Sequence, residues 1–445
     1  MRRLIVIGFL FVSLPLFGQQ LNFRQVDTAM YNQYLRGEWK NMITTGKAAL
    51  DNDIDYYYLQ LRMAYAYFSM EKYRPAIKHY KEALFFNSAD PVANEYLYYC
   101  YKFSGMPSDA LHQVSSLSEM QKNSMELNRE SKIISAGFSF ASSFSDASGI
   151  ADQIVNDLTS INDGVQKATY NLNAPQLNLA HYLGDRVIVR HQASLIFKNE
   201  MSYVISDGTA YYSPEQPLRQ FEYSIGLDIL LAEGLILRPG IHYVRASIPL
   251  YLETSYGPGM NRDRTAVAYV TLRDWVPRIE LVKQTRYFDA GISYVYNTFN
   301  ETATHQFGFH GTIYPFGNLN LYARMDAYHQ SLENNTVQKA RNVFSPMAGF
   351  RIHKNFWLET GATFPEQFNF YDIRNNIAYN NIDTYVTSYD ITGIIPLYKP
   401  KLNLYIGYKY QSINSYFYEI DSMLEPINQH LYHSHLITGG ISWTM

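Results

Sequence analysis

Residues 186–197, RVIVRHQASLIF, decide the fold. Val187, Val189, His191, Ala193, Leu195 and Phe197 fall on one side of an extended chain, and Arg186, Ile188, Arg190, Gln192, Ser194 and Ile196 on the other. A period of two is that of a strand with two unlike faces, one apolar and one polar. The pattern recurs in 222–231, where Tyr223, Ile225, Leu227 and Ile229 oppose Glu222, Ser224, Gly226 and Asp228. It recurs again in 319–330 and 402–411, and in 437–445, the last strand, where Ile437, Gly439, Ile441, Trp443 and Met445 share a face. Many long two-faced strands in a chain with 40 Tyr among 445 residues, behind an export signal, favour a transmembrane antiparallel β-barrel over a soluble sandwich.

Turn lengths set the strand count. Short turns stand at 184–185, 232–234, 286–288, 316–317, 353–355 and 399–401. Between them lie longer Tyr- and Asn-rich connections at 144–173, 198–217, 248–276, 300–303, 331–341, 366–383 and 415–430, expected outside the cell. Six turns and seven loops make fourteen strands, with twelve to sixteen as bounds, because 265–272 reads either as a strand or as part of a loop. An even count puts both barrel ends on the short-turn, periplasmic side.

Working outward, the first residues form an address. Arg2 and Arg3 precede an apolar run at 4–17 and a cleavable Gly18-Gln19-Gln20, the pattern of a secretory signal peptide. The segment from 23 to about 120 has a period of 34: Gly37, Glu71 and Gly105; Trp39, Tyr73 and Pro107; Met42, Ala76 and Ala110. The domain expectation is therefore 1–20 signal peptide, 21–122 helical repeats in the periplasm, 123–132 polar linker and 133–445 barrel, an α+β multidomain chain.

Composition excludes several classes. With 37 Lys+Arg against 40 Asp+Glu the net charge is −3, which argues against nucleic acid as a partner. One cysteine, Cys100, excludes a disulfide framework or a Cys-based zinc cluster, and neither cofactor nor metal is expected.

The three in-phase repeats resemble the tetratricopeptide repeat (TPR), in which a small residue such as Ala76 sits where two helices cross and an aromatic such as Tyr67 fills between them. The order of TPR then barrel resembles the YaiO family of outer-membrane proteins and, more distantly, exopolysaccharide export porins with periplasmic TPR repeats. The resemblance implies a concave face that binds a periplasmic protein or secretion component through Tyr31, Tyr34, Tyr58, Phe68, Tyr99, Lys102 and Phe103. The alternative is that these aromatics pack against neighbouring repeats. The implied task is recruitment of that partner to an outer-membrane barrel, for export or transport of a polymer or protein. A structural barrel in an envelope complex is a second option.

Strand parity sends Arg186, Arg190, Glu222, Asp228, Arg238, His242, Arg324, Asp326, Arg351, Glu359, Asp390 and Lys409 to the lumen. The near balance of sign suggests ion pairs that stiffen or plug the barrel. The alternative is a path for a neutral polar polymer, along Tyr182, Tyr322 and Tyr405. On the outer wall His329, Ser331 and Asn342 resemble the Ser–His–Asn site of outer-membrane phospholipase A, although Leu332-Glu333 replace that family's Asn-Gly after the serine. This makes an outer-leaflet hydrolase the enzymatic alternative to a non-enzyme. His433 and His435 lie two apart on one face and are expected in the girdle at the outer interface.

Overall fold

The computed structural model describes residues 22–127, 132–150, 152–153, 164–206, 209–212, 216–254, 263–333, 338–380, 383–398, 401–419 and 426–444. The signal peptide, most of the linker and the tips of several loops lie outside the described residues. The chain forms two compact units, 1–97 and 98–445.

Seven α-helices precede the first strand among the described residues: α1 (Phe23–Leu35), α2 (Trp39–Leu50), α3 (Tyr57–Ser69), α4 (Tyr73–Phe86), α5 (Pro91–Phe103), α6 (Pro107–Gln113) and α7 (Glu119–Ser124). The first helices of each pair begin at 23, 57 and 91, and the second at 39, 73 and 107, so the 34-residue spacing of the sequence is also the spacing of helical hairpins. Each pair turns on a residue in the left-handed region: Gly37 (φ 67°), Glu71 (φ 57°) and Gly105 (φ 71°). Glycine tolerates that conformation; Glu71 holds it against the steric clash of its own Cβ. Asn22 caps α1 by accepting from the Gln25 amide at 2.9 Å, and Asp90 does the same for Ala93 at 2.6 Å.

In the first unit the buried positions are those at which the helices cross. Met42, Ala49, Leu59, Met63, Ala64, Ala76, Tyr80 and Ala83 are fully enclosed. Gly46, a departure from the repeat pattern, is where the Met63 thioether lies: a Cβ there would collide with it. A polar contact deep in this core, His79 to Gln60 Oε1 at 2.7 Å, is covered by the Tyr67 ring stacked on the imidazole at 5.3 Å.

The second unit closes fourteen strands into a barrel. They are β1 (Ile133–Ser145), β2 (Gly164–Leu183), β3 (Val187–Ser206), β5 (Gln216–Ala232), β6 (Leu235–Thr254), β7 (Asp263–Gln284), β8 (Phe288–Asn297), β9 (Ala303–Ile313), β10 (Leu321–Glu333), β11 (Gln338–His353), β12 (Phe356–Thr363), β15 (Thr384–Tyr398), β16 (Leu402–Glu419) and β17 (Pro426–Thr444). A short β4 (Thr209–Tyr212) pairs with the end of β3, and β13 (Phe370–Asp372) with β14 (Ile377–Tyr379) form a separate hairpin. Each barrel strand is antiparallel to its neighbours, and β17 returns to β1 in an unbroken register from Ser135↔Thr444 to Ser145↔Ser434.

The strands are longer than hydropathy suggests. Residues 265–272 belong to β7, and 164–173 to β2. At ~3.3 Å per residue, a strand of 20 residues such as β2 greatly exceeds the roughly 9–11 residues that cross a bilayer. The ladder continues above the apolar band because backbone pairing needs no apolar side chain, and so polar alternation there looked like loop.

Ala76 is fully enclosed on α4, which packs against α3. Ala76→Trp should overpack that contact and lower the stability of the helical unit by roughly 1–3 kcal/mol in denaturant unfolding followed by far-UV circular dichroism. The barrel's heat-modifiable gel mobility should be unchanged.

Candidate functional site

The outer wall is apolar. Phe138, Leu177, Phe197, Trp275, Ile292, Phe307, Phe309, Ile406, Ile437 and Ile441 are exposed, and the residues that alternate with them are less so: Gln306 is fully enclosed beside Phe307 at 54% exposure. The lumen therefore collects the polar half of every strand.

In the short-turn half of the lumen these side chains form a charged chain. Arg190 pairs with Asp228 at 2.7 Å, Arg238 bridges Asp228 at 3.3 Å and Glu280 at 3.1 Å, and His310 reaches Glu280 at 3.3 Å. Arg324 grips Asp326 at 2.6 Å, and His242 approaches Glu222 at 3.3 Å. Tyr322 donates to Glu359. Lys409 faces Asp390 across β15 and β16. Arg186 is not a lumen residue: it lies in the turn before β3, where its Nη2 reaches His112 Nε2 at 3.3 Å. Arg351, next to the β11–β12 turn, lays its guanidinium over the Trp357 ring. Tyr182 and Tyr405 lie on β2 and β16, and no continuous stack of tyrosines joins them to Tyr322 among the described residues.

The connection at 366–383 is not an external loop. Its hairpin, β13–β14, enters the lumen and is held there from seven strands. Gln306 donates to the Tyr371 carbonyl at 2.8 Å and accepts from its amide at 3.1 Å. Gln330 and Asn297 both donate to the Asn369 carbonyl at 3.2 Å. His242 meets Tyr371 Oη at 3.0 Å, Gln192 exchanges bonds with Asn376 at 3.3 Å, Gln220 accepts from Asn380 at 3.1 Å, and Lys409 donates to Tyr379 Oη at 3.0 Å. Phe370, Tyr371, Ile373 and Tyr379 pack with Val244, Val276, Val295, Tyr328 and Val343 of the wall into an apolar core inside the barrel. The hairpin folds inward because its apolar side chains gain a core there while the wall amides satisfy its backbone. The sequence signal was the alternation of 368–373 and 377–379 within a stretch otherwise polar enough to pass as loop.

A second core lies at the long-loop end of the barrel. Ala147 and Ile150, between β1 and β2, pack with Ala168, Tyr203, Ile413, Phe417 and Tyr432, and Tyr203 donates to the Ala147 carbonyl at 2.8 Å. Above the end of β1 the free edges of β2 and β16 pair directly, from Gln166↔Phe417 to Gly164↔Glu419.

At the opposite, short-turn end, the segment 98–127 lies on the barrel rim. Asp109 accepts from the Gly234 amide at 2.9 Å, Tyr101 donates to Glu233 at 3.2 Å, His112 pairs with Asp185 at 2.8 Å and Lys401 with Glu126 at 2.9 Å.

On the outer wall His329 pairs with Asn342 across β10 and β11, and their side chains bond at 2.9 Å. Ser331 sits opposite Ala340 and His305, and no hydrogen bond joins it to His329 among the described residues. His433 binds Asp146 at 3.0 Å and stacks on Tyr410, and His435 accepts or donates at 2.7 Å to Tyr408 and stacks on Phe144, so both histidines have interfacial partners. No cluster able to hold a metal occurs among the described residues.

The expected partner-binding residues divide. Tyr31 and Tyr58 are exposed and hold the Arg62 guanidinium between their rings at 5.5 and 5.4 Å, while Arg62 also binds Asp27 at 2.7 Å. Tyr34 packs edge-on to Trp39 and Tyr65. Phe68 packs between Tyr73 and Tyr96 within the repeats. Tyr99 and Phe103 stack on each other at 5.8 Å, and Lys102 lies over the Tyr98 ring.

No family model matches the chain, and no curated protein does. Among solved structures it is similar to a Pseudomonas aeruginosa FadL homologue (7% identity, TM-score 0.39, 70% of this chain and 90% of that one). It is also similar to the P. putida toluene transporter TodX (11%, TM-score 0.40, 72% and 92%), and to the translocator domain of the autotransporter NalP from Neisseria meningitidis (10%, TM-score 0.29, 78% and 99%).

The rim contact has a pH dependence. Burial pushes the Asp109 carboxyl up to about 6, against the lowering effect of the Gly234 amide, and its Oδ2 has no partner. A folded pKa above the unfolded 3.8 means the folded state binds the proton more tightly. The seat should therefore tighten as pH falls through about 6, and lose that stabilisation as pH rises through it. Asp109→Asn keeps the acceptor for Gly234 and should stabilise the seat at neutral pH by on the order of 1–3 kcal/mol while removing the share of the pH dependence centred near 6, leaving that of the His112–Asp185 pair. Asp109→Ala should cost about 1–3 kcal/mol by orphaning the amide. Hydrogen-exchange protection at Gly234, corrected for intrinsic rate, measures all three.

Proposed function

We propose that this chain is an outer-membrane barrel, closed at rest, that carries a periplasmic TPR-like adaptor, exported by the signal at 1–20. The observation that carries the reading is the ring of hydrogen bonds from seven strands that holds the 366–383 hairpin across the lumen. A barrel filled in this way supports an anchor or a gated conduit better than an open path for a polymer. The apolar outer wall suits a lipid surrounding, and the helical segment on the short-turn rim suits a periplasmic position for the repeats. The adaptor's task is to hold a periplasmic protein or secretion component beneath the barrel. Export or transport of a polymer or protein would then require displacement of the hairpin.

An outer-leaflet hydrolase keeps one of its two required bonds, His329 to Asn342, and lacks the Ser331–His329 bond that would activate the nucleophile. The enzymatic reading is therefore second.

Two outcomes test the proposal. In planar bilayers the wild-type barrel should show little or no steady conductance. Replacement of 366–383 by a short Gly/Ser linker should open stable channels; equal conductance in both would remove the closed-barrel reading. On the adaptor, exposed Tyr31 and Tyr58 are the residues to change, since Phe68 is engaged within the repeats. Tyr31→Ala with Tyr58→Ala should release a partner crosslinked in intact cells, because exposed aromatics beside an arginine are the residues that dominate such interfaces. Retention of the partner would count against that face.

A further inference from the structure

Between the tip of the inserted hairpin and the short-turn rim the lumen encloses a cavity of about 370 Å³. That size falls in the range of about 300–1,000 Å³ typical of small-molecule sites. Five guanidinium groups line it: Arg190, Arg238, Arg278 and Arg324 from the wall and Arg374 from the hairpin. Carboxylates answer four of them. Asp228 takes Arg190 and Arg238, Glu280 takes Arg238, and Asp326 takes Arg324 and lies 3.8 Å from Arg374. Asp372, on the hairpin itself, and Asp390 also act on Arg374.

Arg278 is the exception. Among the described residues no carboxylate pairs with it. Its Nη2 reaches only Ser224 Oγ, at 3.4 Å, and its Nε is buried without a hydrogen-bond partner. The wall is shaped around this side chain. Gly226 and Gly240 face each other across β5 and β6, and a Cβ on either would come within 3.1 or 3.0 Å of the guanidinium. A half-buried guanidinium with no counter-charge, in a wall that makes room for it, offers a site for an anion. The site is wet, since Arg190 keeps 47% of its side-chain surface exposed. Beside the arginines lie the amides of Asn178 and Gln192 and the Ser224 hydroxyl, which suit hydroxyl groups and not an apolar body.

We propose that this cavity is a binding site for a small hydroxylated carboxylate, whose carboxylate pairs with the Arg278 fork and whose hydroxyls bond the neighbouring amides. A planar guanidinium accepts a carboxylate bidentately, which a lysine cannot do.

The test is calorimetric titration of the full chain in detergent micelles, with D-glucuronate as the probe and glucose as the neutral control of similar size. Saturable binding of glucuronate and none of glucose is expected. Arg278→Gln, with its folding checked by heat-modifiable mobility, should weaken glucuronate binding by roughly ten- to a hundredfold, the loss of one charge-assisted pair. Arg278→Lys keeps the charge, loses the fork and should bind several-fold more weakly than wild type. Equal binding of glucose and glucuronate, no saturable glucuronate binding, or undiminished binding by folded Arg278→Gln would overturn the proposal. If Arg278→Gln does not reach the folded mobility, Arg278→Lys decides: unchanged affinity overturns the site and weakened affinity supports it.

Discussion

Everything in the second unit follows from the ladder between its first and last strands. Ser135–Ser145 and Ser434–Thr444 pair residue for residue and leave no open edge. In hydrocarbon each unpaired backbone group costs several kcal/mol, so a sheet of this size in a membrane must close. Closure then forces alternate side chains inward along all fourteen strands. Eight strands make a barrel that side chains alone can fill, and sixteen or more leave a water channel. Fourteen lies between: the interior is too wide for its own side chains and narrow enough for one hairpin to occupy. The inserted β13–β14 segment supplies the chain that the wall lacks.

The lumen is layered by chemistry. The hairpin is held mostly by neutral amides and hydroxyls, Gln192, Gln220, Asn297, Gln306 and Gln330 among them, with His242 and Lys409 as the ionisable exceptions. The arginine–carboxylate chain lies nearer the short turns. A neutral hydrogen bond contributes only about 0.5–1.5 kcal/mol net, so the hairpin's hold comes from their number and from the apolar core around Tyr371. Ion pairs on the hairpin would have fixed it more specifically and made any displacement dearer, because separating a buried pair strands both charges. Arg374 reaches from the hairpin into the charged layer, and it does so at 3.8 Å from Asp326.

The legible part of the sequence was what depends on local pattern. Alternation and turn length gave fourteen strands because both are set by residues next to one another, and the helix starts at 23, 57 and 91 follow from the same 34-residue spacing. The hairpin was illegible because its place is decided by Gln306, Gln330 and His242, which lie far from Tyr371 in sequence and meet it only inside the closed barrel. Attention to charged lumen residues also hid the neutral ones: Gln306 and Gln330 are fully enclosed, and nothing in their neighbours marks them as the hairpin's acceptors and donors. Parity placed Arg190, Asp228 and Arg238 close enough to pair, but misplaced Arg186, since parity has no meaning in a turn.

The same dependence on closure governs the seat of α6. Asp185, Glu233, Gly234 and Lys401 belong to three different turns, widely separated along the chain, and each meets the segment 98–127. The Lys401 turn, between β15 and β16, comes beside the other two only when β17 has returned to β1. Segment 98–127 therefore has no complete binding surface on a partly formed sheet. The positive-φ glycines at 105 and 234 allow the backbone on both sides to turn tightly at this contact, and a Cβ at Gly234 would meet the backbone of Gln284. The burial of Asp109 needs less than a closed barrel: Glu233 and Gly234 lie in the β5–β6 turn and Lys283 on the next strand, so three consecutive strands suffice to take water from its carboxyl, and only the Lys401–Glu126 contact waits for the strands of the far end.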